Sequence, residues 1–151
     1  MIRATQLLFI DANVPIYAAG PAHRLKEPSG RVLDLVAGRP SSFVTSAEVL
    51  QEVLHYSLRR GEPGRRLFSS FTTLMARRVE AVFGTDVEVA ADITAGHAGL
   101  EARDGVHAAV MRRLGIRHVV SADPRLSRIQ GLERLDPGDV VTWSANLFSS
   151  R

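Results

Sequence analysis

The stretch LLFIDANVP, residues 7–15, decides the fold of this chain. It opens with four apolar residues, a run that is typical of a short strand buried on both faces. Asp11 follows that run directly, and Asn13 lies two residues further on. Ligands of open parallel sheets bind at the carboxyl ends of the strands, which is where Asp11 would lie. The stretch therefore predicts a polar site at the end of a buried strand.

Short apolar runs alternate with longer segments of helical character along the rest of the chain. The predicted strands cover Gln6 to Ile10, Ser42 to Thr45, Val79 to Val82 and Arg117 to Val120. The predicted helices begin near Asn13, with Pro15 in the first turn, and cover about Gly30 to Ala37, Ala47 to Arg59, Gly64 to Arg77, Asp86 to Ala95 and Arg103 to Leu114. Gly20 to Gly30 is predicted to be a loop, and Gly115 is predicted to end the last of these helices at its C′ position. Alternation of this kind favours a parallel sheet with helices on both faces.

The composition is that of a single globular domain over residues 1–151, with 45% hydrophobic and 23% charged residues. No apolar run approaches the roughly 20 residues that span a bilayer, and no basic-then-apolar leader opens the chain. We therefore expect a cytoplasmic protein with no membrane partner. The lack of cysteine excludes a disulfide framework and a thiolate metal site.

The chain is basic, with a formal net charge of +3, and Lys26 is the only lysine among its 19 basic residues. Arginine pairs at residues 59–60, 65–66, 77–78 and 112–113 could form part of a positive surface, because the planar guanidinium suits phosphate. A GC-rich genome would produce the same excess of arginine without any such role. Basicity alone therefore does not separate a nucleic-acid-binding protein from other classes.

A second aspartate repeats the arrangement at the start of the chain. VVSADP, residues 119–124, carries an apolar strand to its end and places Asp123 where the chain leaves the sheet. Either aspartate alone is commonly a turn or helix-cap residue. Two strand-end aspartates face the same crevice if their strands are neighbours, so Asp11 and Asp123 together predict a shared acidic site.

The helix in TSAEVLQEVLHYSLRR, residues 45–60, supplies a third acid. Thr45 followed by Glu48 fits a capping box, which gives Glu48 a structural role. Glu52 has no such role and borders the apolar stripe of the helix, so its carboxylate needs a partner. That stripe is predicted to contain Leu50, Val53, Leu54, Ser57 and Leu58. The partner of Glu52 is either His55, an arginine, or a cation that is shared with the two aspartates.

Asp104 is the fourth acid and lies in the first turn of the helix that leads to the last predicted strand. The helix dipole favours an acid there, so a structural role would explain Asp104 by itself. Several carboxylates held close together repel one another, and a divalent cation removes that penalty. Oxygen ligands without cysteine or paired histidine select Mg²⁺ or Mn²⁺ rather than Zn²⁺. Such an ion can activate a water for attack on a phosphodiester, and Asn13 and Ser121 are placed to orient ligands or that water.

Taken together, these residues resemble the PIN-domain ribonucleases, and among them the VapC-type toxins of bacterial toxin–antitoxin pairs. The similarity runs from about Leu7 to Pro137 through the motifs FIDANV, VLQEVL, ARDGVHAAVMRRLGI and VVSADPRLSRIQGLERLDP. It implies a PIN-like three-layer α/β/α fold with a central parallel sheet of about four to five strands. It also implies a metal-dependent endoribonuclease that acts as the toxin of a type II pair.

The resemblance further implies roles for individual residues. Catalysis falls to Asp11, Glu52, Asp104 and Asp123, and the Mg²⁺ or Mn²⁺ ion to Asp11, Asp104 and Asp123. Asn13 and Ser121 match supporting polar positions. His107 lies where the family often has histidine, and a structural role for it stays open. Proteins of this kind cut RNA, form homodimers and are inhibited by a cognate VapB-type antitoxin.

Two other functions fit part of the sequence. A non-catalytic RNA-binding module would use the arginine pairs to contact phosphates, but a cluster of acids beside RNA would weaken its binding. A phosphatase-like α/β domain would use Asp11 as its nucleophile, but Asn13 stands where haloacid-dehalogenase-like phosphatases carry a second aspartate. No P-loop or dinucleotide-binding glycine pattern is present in the sequence.

Overall fold

Five short parallel strands form the centre of the fold in the computed structural model, which describes residues 6–149. The strands are β1 (Leu8–Ile10), β2 (Phe43–Ser46), β3 (Val79–Glu80), β4 (His118–Val120) and β5 (Glu133–Leu135). They lie in the order β3-β2-β1-β4-β5, and each neighbouring pair is parallel. The prediction of a parallel sheet of about four to five strands is confirmed.

Helices flank this sheet within residues 6–149. They are α1 (Asn13–Ala19), α2 (Lys26–Gly38), α3 (Ala47–Ser57), α4 (Gly61–Leu74), α5 (Gly84–Ala95), α6 (Ala102–Arg113) and α7 (Val140–Phe148). Short 3₁₀ helices cover Pro40–Ser42, Pro124–Arg128 and Pro137–Asp139. The chain reverses its direction across the sheet after β3, so right-handed crossovers place α1 to α4 on one face and α5 and α6 on the other. The result is the predicted α/β/α arrangement.

One hydrophobic cluster joins the described elements, from Leu8 in β1 to Trp143 in α7. Within residues 6–149, no helix combines the length and the apolar character that crossing a membrane requires. The prediction of a single domain covers residues 1–151, of which residues 1–5 and 150–151 lie outside the described part of the chain. That domain boundary stays a prediction.

β1 lies at the centre of the sheet, between β2 and β4, and its three residues are completely buried. A strand that is covered by helices on both faces has no polar side, which explains the apolar run before Asp11. Ile10 is in register with Val120, and the Asp11 N–H donates to Val120 O at 3.1 Å. This register sets Asp11 beside Ser121 at the carboxyl end of the sheet.

Several predicted boundaries were wrong. α2 begins at Lys26 rather than Gly30, because Pro28 lies in the first turn, where a helix needs no N–H donor. α4 begins and ends earlier than predicted, and the chain leaves it through Arg77, which has a φ of +68°. β5 and α7 were not predicted.

The predicted capping box at Thr45 was also wrong. Ser46 caps α3 instead, with its hydroxyl accepting the Val49 N–H at 3.4 Å. Thr45 belongs to β2, and its hydroxyl donates to Ile10 O in β1 at 2.8 Å. The strand therefore continues one residue further than predicted, and the helix cap shifts with it.

α6 ends as predicted at Gly115, which has a φ of +69°. The Ile116 N–H donates to Met111 O at 2.8 Å, and the Gly115 N–H donates to Arg112 O at 3.2 Å. These two bonds form a Schellman motif, which turns the chain from α6 into β4. The turn brings the first residues of α6 to the same edge of the sheet as the end of β4.

Candidate active site

A hydrogen-bonded group of polar side chains joins the ends of β1 and β4. The Ser121 hydroxyl donates to Asp11 Oδ2 at 2.7 Å and accepts from Asn13 Nδ2 at 3.0 Å. Asn13 also donates to Asp11 Oδ2 at 3.2 Å, and its own Oδ1 accepts the Ala122 N–H at 3.1 Å. Asp11 and Ser121 are both buried. Asn13 and Ser121 therefore hold the Asp11 carboxylate in one orientation.

Glu52 reaches this group from α3 and meets His107 of α6. His107 Nε2 lies 2.7 Å from Glu52 Oε1 and 3.6 Å from Asp11 Oδ1. Arg103 Nη1 lies 3.6 Å from Glu52 Oε2. The partners that Glu52 requires are thus His107 and Arg103, whereas His55 is exposed on α3.

The predicted apolar stripe of α3 was wrong in part. Leu54 and Leu58 are 40% and 74% exposed, whereas Val49, Val53 and Ser57 are buried. The buried face of α3 is therefore rotated away from Leu54 and Leu58. Glu52 still borders that face and is only partly exposed.

The His107 imidazole is almost completely buried between the two carboxylates. Burial by itself lowers the pKa of a histidine, but the hydrogen bond with Glu52 and the charges of Asp11, Glu52 and Asp104 outweigh it and raise the pKa of His107. His107 Nδ1 has no hydrogen-bond partner among the described residues. His107 therefore lies between the carboxylates of Glu52 and Asp11.

Asp104 has the helix-start role that the sequence left open for it. Its Oδ2 accepts the Glu101 N–H at 2.8 Å and closes a capping box at the start of α6. Burial raises the pKa of Asp104, although the Glu101 N–H and the charge of Arg125 act in the opposite direction. Asp104 Oδ2 also lies 3.7 Å from Arg125 Nη2.

Asp123 is paired with Arg125, a residue that the sequence analysis did not single out. Arg125 Nη2 donates to Asp123 Oδ2 at 2.7 Å, and Arg125 Nε lies 3.1 Å and 3.0 Å from the two carboxylate oxygens. Burial alone would raise the pKa of Asp123, but the hydrogen bonds and the charge of Arg125 outweigh it and lower that pKa. Asp123 also caps the following 3₁₀ helix, since its Oδ1 accepts the Arg125 N–H at 3.0 Å.

Asp11, Glu52 and His107 form a cluster that fits a divalent cation. One ligand atom from each residue lies within 4.8 Å of the others. Carboxylate oxygens are the preferred ligands of Mg²⁺ and Mn²⁺, and an imidazole nitrogen is accepted more readily by Mn²⁺ than by Mg²⁺. The donor set at this end of the sheet is therefore that of a divalent metal site, without selecting one ion.

Asp104 and Asp123 form a second acidic pair next to that cluster, bridged by Arg125. Ser121 connects the pair to Asp11, because its hydroxyl bonds to the Asp11 carboxylate and accepts the Asp123 N–H at 3.1 Å. The structure thus brings the predicted acids to one end of the sheet, while Arg125 occupies oxygen atoms that the predicted ion would share. The catalytic and metal-binding roles of the acids stay predictions.

Sequence reasoning gave His107 too little weight and missed Arg103 and Arg125. His107 follows Asp104 by three residues on one helix, a spacing that places both side chains on the same face. That spacing could have predicted that His107 lies beside the acids. An Asp-Pro-Arg turn predicts that the backbone of Arg125 will meet the aspartate, but it does not predict the direction of the guanidinium.

Arginines border the cleft beside Glu52. A cavity of about 270 Å³ is lined by Ile16, Glu52, His55, Tyr56, Arg59, Arg60 and Arg103. The Arg60 guanidinium lies 4.2 Å from the centre of the Tyr56 ring, a cation–π contact that keeps it at the cavity wall. Of the predicted arginine pairs, 59–60 therefore lies next to Glu52, whereas Arg113 is bonded to Asp86 at 2.9 Å.

The fold and the clustered acids match one family of known proteins. A family model described as the PIN domain matches residues 8–132. The chain therefore belongs to the PIN-domain family. It is 32% identical over 131 residues to ribonuclease VapC13 of Mycobacterium tuberculosis, a match that covers 85% of this chain and 99% of that protein. The resemblance to VapC-type ribonucleases is confirmed.

Two solved structures share the fold. VapC20 of Mycobacterium tuberculosis, a toxin that cleaves the sarcin–ricin loop, superposes with a TM-score of 0.65 at 24% identity, over 83% of this chain and 98% of that one. VapBC2 of Rickettsia felis, bound to a DNA fragment from its promoter, gives a TM-score of 0.66 at 12% identity, over 87% of this chain and 98% of the matched chain. At such identities the similarity shows the PIN fold alone.

Proposed function

We propose that this chain, a VapC-type PIN-domain ribonuclease, hydrolyses RNA phosphodiester bonds at its acidic cluster with Mg²⁺ or Mn²⁺. The observation that carries the proposal is the meeting of acids from four distant segments at the ends of β1 and β4. Buried carboxylates beside a phosphate chain repel it, so a protein that only binds RNA gains nothing from them. A cation between the acids and the phosphate would remove this repulsion.

The acids have different proposed roles. Asp11, Asp104 and Asp123 would hold the ion, with Asp11 oriented by its hydrogen bonds at the end of β1. When bound, the ion supplies a water of lowered pKa and a positive charge beside the scissile phosphate. Glu52, whose Oε1 lies 2.7 Å from His107 Nε2, would serve as the general base of this group.

The proposal extends to partners. As the toxin of a type II pair, the chain would be a cytoplasmic homodimer that a cognate VapB-type antitoxin inhibits. The similarity to the VapBC2 chain supports an antitoxin partner, and the arginines beside Glu52 support an RNA substrate. Light scattering on the purified protein, with and without the co-expressed antitoxin, tests both the dimer and the complex.

The experiment that tests the activity compares Asp11→Asn with Asp34→Asn on RNA. Asp34 is exposed on α2, so its variant makes the same chemical change away from the acids. We expect Asp11→Asn to abolish cleavage and Asp34→Asn to cleave like the wild type, with both variants folded by circular dichroism. EDTA should stop wild-type cleavage, and added Mg²⁺ or Mn²⁺ should restore it.

Full cleavage by Asp11→Asn, or cleavage that EDTA does not stop, would refute this function. Salt-sensitive RNA binding by the wild type without metal-dependent turnover would favour the RNA-binding alternative. The phosphatase alternative requires an acyl-phosphate trapped on Asp11, and we expect none.

A further inference from the structure

Arg125 places a fixed positive charge inside the acidic site. Its Nη2 lies 2.7 Å from Asp123 Oδ2 and 3.7 Å from Asp104 Oδ2. Its Nη1 donates to Gly99 O at 3.0 Å and lies 3.8 Å from Glu101 Oε1. The guanidinium therefore bridges the two acids that the metal site requires in addition to Asp11.

The local backbone explains why Arg125 is held there. Pro124 begins a 3₁₀ helix, and Asp123 caps that helix by accepting the Arg125 N–H. The same two residues are thus joined both through the Arg125 backbone N–H and through the Nε and Nη2 atoms of its side chain. The Arg125 side chain is nevertheless 38% exposed, so part of it is open to solvent.

A divalent ion would compete with this guanidinium for the oxygen atoms of Asp123. The Asp123 carboxylate offers about four lone-pair positions, and the backbone N–H, Nε and Nη2 of Arg125 all point at them. An ion at Asp123 and Asp104 would also be repelled by a positive charge in contact with both acids. Metal binding at Asp123 and Asp104 would therefore be weakened by the guanidinium unless its side chain moves, while its backbone can stay in the 3₁₀ helix.

We propose that Arg125 exchanges partners: it neutralises Asp123 and Asp104 in the metal-free protein, and it contacts the scissile phosphate once an ion holds those acids. The proposal rests on the function proposed above, since the phosphate is that of the RNA. A guanidinium suits both partners, because its planar fork matches the geometry of carboxylate and phosphate alike.

Arg128 is a matched control in the same 3₁₀ helix. Its Nη1 donates to Ala98 O at 3.1 Å, much as Arg125 donates to Gly99 O. Among the described residues, Arg128 makes no ion pair with the acids of the site. Comparing Arg125→Gln with Arg128→Gln therefore separates the contact with the acids from the loss of one surface charge.

The first measurement is Mn²⁺ affinity by isothermal titration calorimetry, without RNA. We expect Arg125→Gln to bind Mn²⁺ about 5-fold more tightly than the wild type, or more, because the competing cation is gone. Arg128→Gln should bind Mn²⁺ like the wild type. Unchanged or weaker Mn²⁺ binding by Arg125→Gln would overturn the proposal, because Arg125 would then only orient Asp123.

The second measurement is the affinity for a short labelled single-stranded RNA, by fluorescence anisotropy with Ca²⁺ as the ion. We expect Arg125→Gln to bind this RNA more weakly than Arg128→Gln does, because it loses the phosphate contact as well as the charge. Equal RNA affinities for the two variants would overturn the phosphate contact. Arg125→Lys, which keeps the charge and the fold, should bind Mn²⁺ with an affinity between those of the wild type and Arg125→Gln.

These measurements also separate this inference from the proposed function. If Arg125→Gln binds Mn²⁺ more tightly but the wild type cleaves no RNA, the exchange between Arg125 and the metal is supported and the proposed nuclease activity is refuted. RNA cleavage by the wild type, together with unchanged Mn²⁺ affinity in Arg125→Gln, would retain the nuclease and refute the exchange.

Discussion

Replacement of Ser121 by alanine should show how much the hydrogen bonds of the site contribute to the stability of the fold. The Ser121 side chain is completely buried and makes three hydrogen bonds, to Asp11, Asn13 and the Asp123 N–H. A hydrogen bond to a charged group contributes about 1.5 to 3 kcal/mol to stability, and a polar group left without its partner costs about 1 kcal/mol more when it is partly buried. We therefore expect Ser121→Ala to lower the free energy of unfolding by about 2.5 to 4 kcal/mol.

The assay is urea unfolding in the presence of EDTA, so that metal binding does not contribute, with Ser127→Ala as the control. Ser127 is exposed in the same segment and has one hydrogen bond, from Arg134 Nε at 3.0 Å. Its replacement should change stability by no more than about 0.5 kcal/mol. If the two variants unfold at the same urea concentration with the same slope, the hydroxyl of Ser121 does not hold the site together.

Two further predictions concern packing and pH. A Cβ at Gly105 would lie 2.9 Å from Ala90 O, so Gly105→Ala should destabilise the contact between α5 and α6 by about 1 to 3 kcal/mol. Gly30→Ala has open space in α2 and should stabilise by about 0.5 to 1 kcal/mol in the same thermal unfolding assay; equal melting temperatures would contradict the packing argument. The pKa of His107 is higher in the folded protein than its ordinary value of about 6.5. The ion pairs of His107 therefore stabilise the fold fully below that pH, and this stabilisation is lost as the pH rises through the folded-state pKa. In EDTA, wild-type stability should therefore fall above that pH more steeply than that of His107→Gln, and parallel curves would refute the charge on His107.

The parts of the fold that the sequence predicts are those with a strong local signal. β1 and the last two residues of β4 are apolar because both strands are buried on two faces, and a polar residue follows each strand where the sheet ends. Gly115 marks the end of α6 because only a residue that tolerates positive φ can form that turn. These signals need no knowledge of tertiary contacts.

The missed elements are those that depend on tertiary contacts. β5 has one buried residue, Leu135, in a run that also contains Glu133 and Arg134. The edge position of β5 explains its polarity, since only one neighbouring strand pairs with it. α7 follows a 3₁₀ turn, and Trp143 anchors it by donating to Asp136 O at 2.8 Å. β5 and α7 are both too short for the spacing of their apolar residues to predict them from the sequence alone.

The sequence predicted the acids of the candidate site but not the hydrogen bonds and ion pairs that join them. Strand ends and helix starts place the acids, so their positions follow from the pattern of elements. The cations between them do not, because a guanidinium or an imidazole can turn toward any acid within reach. Arg125 and His107 are known as partners of the acids only from the distances in the folded chain.

The central position of β1, between β2 and β4, has a consequence for the synthesis of this enzyme. Asp11 is translated 110 residues before Ser121, so the strand that brings Ser121 and Asp123 to its side is made long after it. A nascent or truncated chain that stops before β4 lacks Ser121 and Asp123 of the candidate active site. Such a chain therefore also lacks the Ser121 hydrogen bonds that orient the Asp11 carboxylate.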